Sequence, residues 1–234
     1  MQAGTHGLIG IGLGKFLFPD DAETQRGLLL GSLAPDLDVI PAALLIAPLF
    51  GFQAAIASHR TWSHTIFILP ALHGLFALPR LRRIDPGLRR GFLIGVACHI
   101  ICDVLWIVPI ALFWPLSEAL GWQRVSVWWG TEIPLWLTRL LAAGEYLAWG
   151  LYLGTLHRMA ILQGRGWRML EVYQYLLFFI FALAGVLLNL DHGLFDMVAY
   201  APASLFIFPS LCYVAYVLLE GEEERCRLQA QTSS

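Results

Sequence analysis

Eight residues within the first 103 of a 234-residue chain carry side chains suited to metal or acid–base chemistry: His6, Asp36, Asp38, His59, Arg60, His64, His99 and Asp103. Imidazole nitrogen and carboxylate oxygen together suit zinc, and also manganese or iron. A bound dication would offset the burial of the aspartate charges and bring the pKa of a bound water to near 7. Arg60 would suit a phosphate, because its planar fork matches anionic oxygens and stays charged. His99 and Asp103 stand four residues apart. On a helix both leave the same face, so they can reach one metal or two adjacent metals.

Each residue also has an ordinary reading. His6 alone reads as an exposed histidine near a terminus. Pro35-Asp36 with Asp38 reads as a turn and helix cap, and His59-Arg60 as an interfacial pair. His99 and Asp103 resist this, because both sit deep in an apolar stretch, where an Asp costs about 3 kcal/mol on insertion scales. The joint pattern favours a metal site. His73 has no carboxylate near it in sequence, and His157 sits among basic residues. Asp191-His192 with Asp196 reads equally as polar loop.

Two other patterns do not carry chemistry. Gly10, Gly12 and Gly14 before Lys15 imitate a phosphate loop, but Ile9 occupies the first glycine position and Phe16 replaces the Ser/Thr. Gly10-xxx-Gly14 reads instead as a close helix–helix contact. Cys98 and Cys102, one helical turn apart, read as small apolar filler rather than zinc ligands.

The elements that must position these residues are helices in an apolar chain. Hydrophobic residues make up 58% and charged residues 14%, where a soluble domain is nearer a quarter charged. That excludes disorder, collagen and a disulfide-stapled mini-protein. The net charge is −2, so there is no basic excess for nucleic acid. No basic n-region or cleavage site marks a secretory signal, and the N-terminus reads as retained.

The expected spans are Thr65–Pro79, Gly91–Leu116, Ile133–Leu156, Val172–Leu190 and Met197–Leu219. Gly7–Phe18 is short for a span, and Val39–Ala57 is broken by Pro41 and Pro48. Arginines in Arg80–Arg90, His157–Glu171 and the tail place those segments on one side, cytoplasmic by the positive-inside rule. Ser117–Glu132 then faces outward, with Trp122, Trp128 and Trp129 as an aromatic belt. Antiparallel spans would leave His64 at one membrane edge and Asp103 near mid-membrane. A shared site therefore requires a short or tilted helix, or a cavity.

The order of the pieces resembles the YdjM-like family of inner-membrane proteins, taken to be metal-dependent hydrolases and named for a LexA-regulated bacterial member. The resemblance rests on Thr5-His6, then Pro35-Asp36-x-Asp38, then His59-Arg60-x-x-Ser63-His64, then His99-xxx-Asp103 and Trp114-Pro115. It covers Thr5–Pro115. There are departures: Ser58 and Thr61 replace glycines around His59-Arg60, Cys98 replaces a serine, and Val104–Phe113 lacks a Thr-Pro and a Gly. The family is distantly similar to zinc-dependent phospholipase C and its nuclease relatives, which are all-helical.

The resemblance implies an all-α, multi-pass helical bundle of about five to six spans, with a metal site between N-terminal helices. Residues 1–116 would form the metal-site half, 117–219 further transmembrane helices and 220–234 a polar cytoplasmic tail. It implies hydrolysis of a phosphoester or lipid-linked substrate at the bacterial inner membrane. His6, Asp36, His59, His64, His99 and Asp103 would hold a divalent metal, zinc first and manganese or iron next. Asp38 would serve as ligand or general base, and Arg60 would stabilise developing anionic charge. The alternative is a non-catalytic ion or metal carrier using the same residues, though no paired halves are visible. A purely structural reading requires that the polar residues do not converge.

Overall fold

The computed structural model describes residues 3–38, 41–51, 54, 58, 61–106, 110–116, 133–162, 172 and 175. Among them the regular structure is helical. The chain divides into two compact units, Met1–Leu135 and Trp136–Ser234.

In the first unit, α1 (Ala3–Leu17) leads through a tight turn into α2 (Ala22–Leu33). Pro19 follows α1 and cannot continue its ladder. Asp21 caps α2, accepting from the Thr24 backbone N–H at 2.9 Å and from the Thr24 hydroxyl at 2.7 Å. At the far end of α2, Pro35 has no N–H to give. The chain tightens there into a 3₁₀ turn, Ala34–Asp38.

The helix α3 (Ile68–Phe76) precedes α4 (Pro86–Leu105). Asp85 caps α4 with bonds from Gly87 N at 2.7 Å and Leu88 N at 3.2 Å, and Pro86 takes the first helical position. Val96, Ile100 and Ile110 are buried together, with Ile68, Leu69 and Leu72 of α3 packed on them.

Glycines set how closely α2 and α4 approach. A Cβ on Gly27 or Gly31 would fall inside contact distance of the Leu88 or Phe92 backbone, and one on Gly91 or Gly95 would strike the Thr24 or Leu28 carbonyl. The two helices therefore run side by side in the same direction with their backbones touching. The pattern is small-xxx-small on both partners. On the other side of α2, a Cβ on Gly10 would lie 3.1 Å from Leu29 Cα, and one on Gly14 3.3 Å from Gln25 Cα. The Gly10/Gly14 pair thus seats α1 antiparallel on α2.

A polar clasp closes one end of this three-helix unit. Arg90 of α4 donates to Asp21 at 2.6 Å and to Thr24 Oγ1 at 2.9 Å, and its guanidinium lies over the Phe18 ring. The opposite end receives the start of α1, the 3₁₀ turn and the end of α4.

In the second unit, α5 (Leu135–Leu162) buries Trp149, Tyr152, Leu153, Leu156 and Ala160. Those positions fall on one helical stripe.

The span expectations need correction. Among the described residues no helix is long and apolar enough to cross a membrane. Within Thr65–Pro79, α3 is only nine residues long. Gly91–Leu116 is not one helix, because α4 ends at Leu105 and Trp106 turns extended. Ile133–Leu156 falls mostly in α5, which fails on polarity. Arg89 and Arg90, expected in a loop, lie in the first turns of α4. Met197–Leu219, Ser117–Glu132 and the tail lie outside the described residues, as does Val172–Leu190 apart from Val172 and Tyr175.

Candidate metal centre

His6, Asp36, His64, His99 and Asp103 come together at the end of the first unit opposite the clasp. Each is at most 5% exposed. Four elements deliver them. His6 lies in the first turns of α1, Asp36 in the 3₁₀ turn, and His99 and Asp103 in the last turns of α4. His64 precedes α3, in a segment tied down by Ile66 N bonding Leu112 O at 2.9 Å and by the Thr65 hydroxyl bonding Leu112 O and Trp114 O at 3.0 and 2.8 Å. The short α3 and the early end of α4 remove the difficulty of bringing His64 to Asp103. Because α3 runs antiparallel to α4, its N-terminal approach meets α4's C-terminal end.

Four donor atoms define a compact polyhedron. His64 Nε2 lies 3.1 Å from His99 Nε2, 3.3 Å from Asp103 Oδ2 and 3.6 Å from Asp36 Oδ1. His99 Nε2 lies 3.6 Å from Asp103 Oδ2 and 3.7 Å from Asp36 Oδ1. A tetrahedral zinc with ligands about 2.0–2.2 Å away has donor–donor edges of about 3.3–3.6 Å. Three of these five distances fall in that range, and the other two lie within 0.2 Å of it. His6, Asp36 and His99 make a second potential ligand group that shares His99 with the group His64, His99 and Asp103.

Hydrogen bonds behind the imidazoles orient both lone pairs into this polyhedron. His99 Nδ1 lies 2.6 Å from the Ser32 carbonyl. A carbonyl only accepts, so Nδ1 carries the proton and a neutral His99 presents Nε2 as a lone pair. The Ser63 hydroxyl donates to Asp38 Oδ2, since a carboxylate also only accepts. Its oxygen then accepts from His64 Nδ1, 2.8 Å away. His64 Nε2 is left as a second lone pair. Carboxylate or carbonyl support of this kind is the usual surrounding of a metal-bound histidine.

His6 stacks on His99, with ring centroids 3.7 Å apart, and its Nε2 lies 3.1 Å from Asp103 Oδ1. Burial pushes the His6 imidazole down to about 4 and holds His64 below its usual value. Both are thereby kept in the neutral form a metal needs. Among the described residues His6 Nδ1 and Asp36 Oδ2 are buried without a hydrogen-bond partner. Such atoms are costly unless something satisfies them.

The sequence-based residues therefore fall into three groups. His6, Asp36, His64, His99 and Asp103 converge. Asp38 stands one step back, 3.7 Å from His64 Nδ1 and bonded through Ser63. His59 and Arg60 lie outside the described residues. Sequence reasoning gave no role to Ser32, Ser63 or the Gly27/Gly31 and Gly91/Gly95 pairs. Ser63 did stand at the Ser/Thr position of the His-Arg-x-x-Ser/Thr-His pattern. The small-xxx-small spacing of the glycines was visible as well.

A family model described as YdjM inner membrane protein matches residues 1–190 of the chain. No curated protein and no solved structure matches it.

Proposed function

The chain belongs to the YdjM inner membrane protein family, and on that premise we propose that it is a membrane-bound, metal-dependent hydrolase acting on a phosphoester or lipid-linked substrate. His64, His99, Asp36 and Asp103 would hold a divalent metal, zinc first, with His6 beside them. The observation that carries this is the polyhedron of buried donors with two imidazole lone pairs aimed into it. Two lone pairs 3.1 Å apart repel. A cation or a shared proton between them removes the repulsion, and the buried carboxylates of Asp36 and Asp103 compensate the positive charge of either.

A divalent ion bound there supplies Lewis acidity, polarising a phosphoryl oxygen and making a water acidic enough to ionise near neutral pH. The chain's own residues do the rest. Ser32 and Ser63 fix the ring orientations of His99 and His64. Asp38 acts through Ser63 as a positioning residue, in place of the ligand or base role expected from sequence. Arg60 is proposed as the partner for anionic oxygens, on sequence grounds.

Membrane attachment is proposed through the apolar segments Val172–Leu190 and Met197–Leu219, with Arg158, Arg165, Arg168 and the C-terminal tail cytoplasmic. These two segments carry the multi-pass reading, because no described helix is long and apolar enough to do so. A carrier remains the second reading on the same residues.

The test is metal content and hydrolysis by the purified full chain. The expected result is bound divalent metal and turnover of a phosphomonoester or phospholipid panel, both lost in Asp103→Ala. Metal content equal in the two proteins would overturn the site. Metal bound with no turnover of any panel member would favour the carrier.

A further inference from the structure

A second recessed surface lies on the first unit, away from the metal centre. It is an open groove of about 590 Å³ between α3 and the N-terminal half of α4, walled by Phe76 and Leu93 and carrying His73, Arg82, Arg89 and Arg90. The groove and the metal centre are separated along α4: Arg89, Arg90 and Leu93 lie in its first half, His99 and Asp103 in its last turns. From Arg89 to His99 is about 15 Å at helical rise.

The groove's chemistry is two-sided. No carboxylate lines it among the described residues. Arg90 is committed to Asp21. Arg82 is exposed, while Arg89 keeps a buried Nε without a hydrogen-bond partner and makes one long bond to Phe76 O at 3.5 Å. Beside these cations, α3 is apolar apart from His73 and has no fully buried residue. Phe76, Ala77, Leu93 and Ile94 make the groove's apolar wall, and outside its lining Leu75 of α3 and Leu78 just beyond the helix are about half exposed. Cationic forks at one end of an exposed apolar helix, in a protein of an inner-membrane family, match a molecule with an anionic head and an apolar tail. A soluble phosphate would use the arginines and leave the apolar wall unexplained.

We propose that the groove of Arg82, Arg89, Phe76 and Leu93 binds an anionic phospholipid. The headgroup phosphate pairs with Arg82 and Arg89, and an acyl chain lies along α3. Arginine suits this because its guanidinium grips two phosphate oxygens at once. Anionic lipid attracts basic residues at a membrane surface by roughly fivefold in affinity per residue. The inference does not rest on the hydrolase reading, because the groove holds none of the metal-ligating residues.

The test measures lipid retained by the detergent-purified full chain in native mass spectrometry. The probes are phosphatidylglycerol and phosphatidylcholine of identical acyl chains. The expected result is selective retention of phosphatidylglycerol. The Arg82→Ala/Arg89→Ala variant should lose at least about tenfold of that preference, with an unchanged unfolding temperature as the check that it has folded. Arg83→Ala, outside the groove lining, should keep it. Glycerol phosphate should compete poorly against the lipid. The proposal is overturned by equal retention of the two lipids, by a preference that survives the double variant, or by glycerol phosphate competing as well as the lipid. The last outcome would make the groove a plain anion site.

Discussion

His64 and His99 face each other across the candidate metal centre with their Nε2 atoms 3.1 Å apart, and each imidazole is held from behind by a bond to its Nδ1. The two rings come from segments 35 residues apart. Their convergence, with Asp36 and Asp103 completing the set, distinguishes a ligand cluster from polar residues scattered through an apolar chain. The relationship leads directly to consequences for metal binding.

Removing either ring should empty the site. His99→Ala and His64→Ala are each expected to leave the purified protein with little divalent metal, while His73→Ala keeps the wild-type content. Elemental analysis of the three proteins decides this. Stripping the wild type with a chelator should also lower its unfolding temperature, and a zinc excess of about 100 times the dissociation constant should restore about 2.7 kcal/mol.

The Asp38–Ser63–His64 chain should matter to affinity more than to fold. Ser63→Ala leaves His64 Nδ1 without its hydroxyl partner, so the ring is no longer held in the tautomer that offers Nε2. Zinc affinity should fall about 10–100-fold, the usual cost of losing such support. Asp38→Asn should act through the same path, so the double variant should be little worse than the worse single. Competition with a zinc-chelating dye reads these values, and fully additive losses would mean that Asp38 acts separately.

Close backbone contact between α2 and α4 predicts a sharp difference among glycines. Gly31→Ala or Gly91→Ala drives a methyl into the partner backbone and should destabilise by about 1–3 kcal/mol. Gly12→Ala meets nothing within 4 Å and should be neutral or stabilising by up to about 1 kcal/mol through helix propensity. Thermal unfolding of the full chain would show the contrast. Equal effects at Gly12 and Gly91 would contradict the packing.

The clasp end predicts a dependence on acid. The Thr24 backbone N–H, then its hydroxyl, and the Arg90 guanidinium hold the Asp21 carboxyl below the usual carboxylate value. A carboxyl whose folded pKa is depressed adds stability above its unfolded pKa of about 3.9, and loses it as pH falls through the folded value. The unfolding-temperature gap between wild type and Asp21→Asn should therefore be full at pH 6 and shrink steadily below pH 4. A gap that is constant from pH 6 to pH 2.5 would show that Asp21 is not acting as a carboxylate.

The types of the candidate ligands were legible in the sequence. An Asp and a His one helical turn apart in an apolar stretch must be satisfied, and Pro35-Asp36-x-Asp38 and His-Arg-x-x-Ser-His supplied further donors in a recognisable order. Long apolar stretches and the family resemblance likewise pointed to helices, as the regular structure of the described residues is, and Gly10-xxx-Gly14 marked a close helix–helix contact, which is the seat of α1 on α2. Helix ends were not legible to the same degree. Hydropathy alone extended α4 through Leu116 and α3 from Thr65 to Pro79, because an apolar residue in a helix and one in a buried irregular segment score alike.

Only the tertiary structure decided which donors meet and which stand behind them. Asp36 and Asp38 are chemically identical and two residues apart in one 3₁₀ turn. Yet Asp36 faces His64 Nε2 and Asp38 faces Ser63 and His64 Nδ1. No local pattern encodes that difference, because it depends on where α4 lies. That position is set by glycines 27, 31, 91 and 95, whose missing side chains let two backbones touch and bring Ser32 within hydrogen-bond reach of His99.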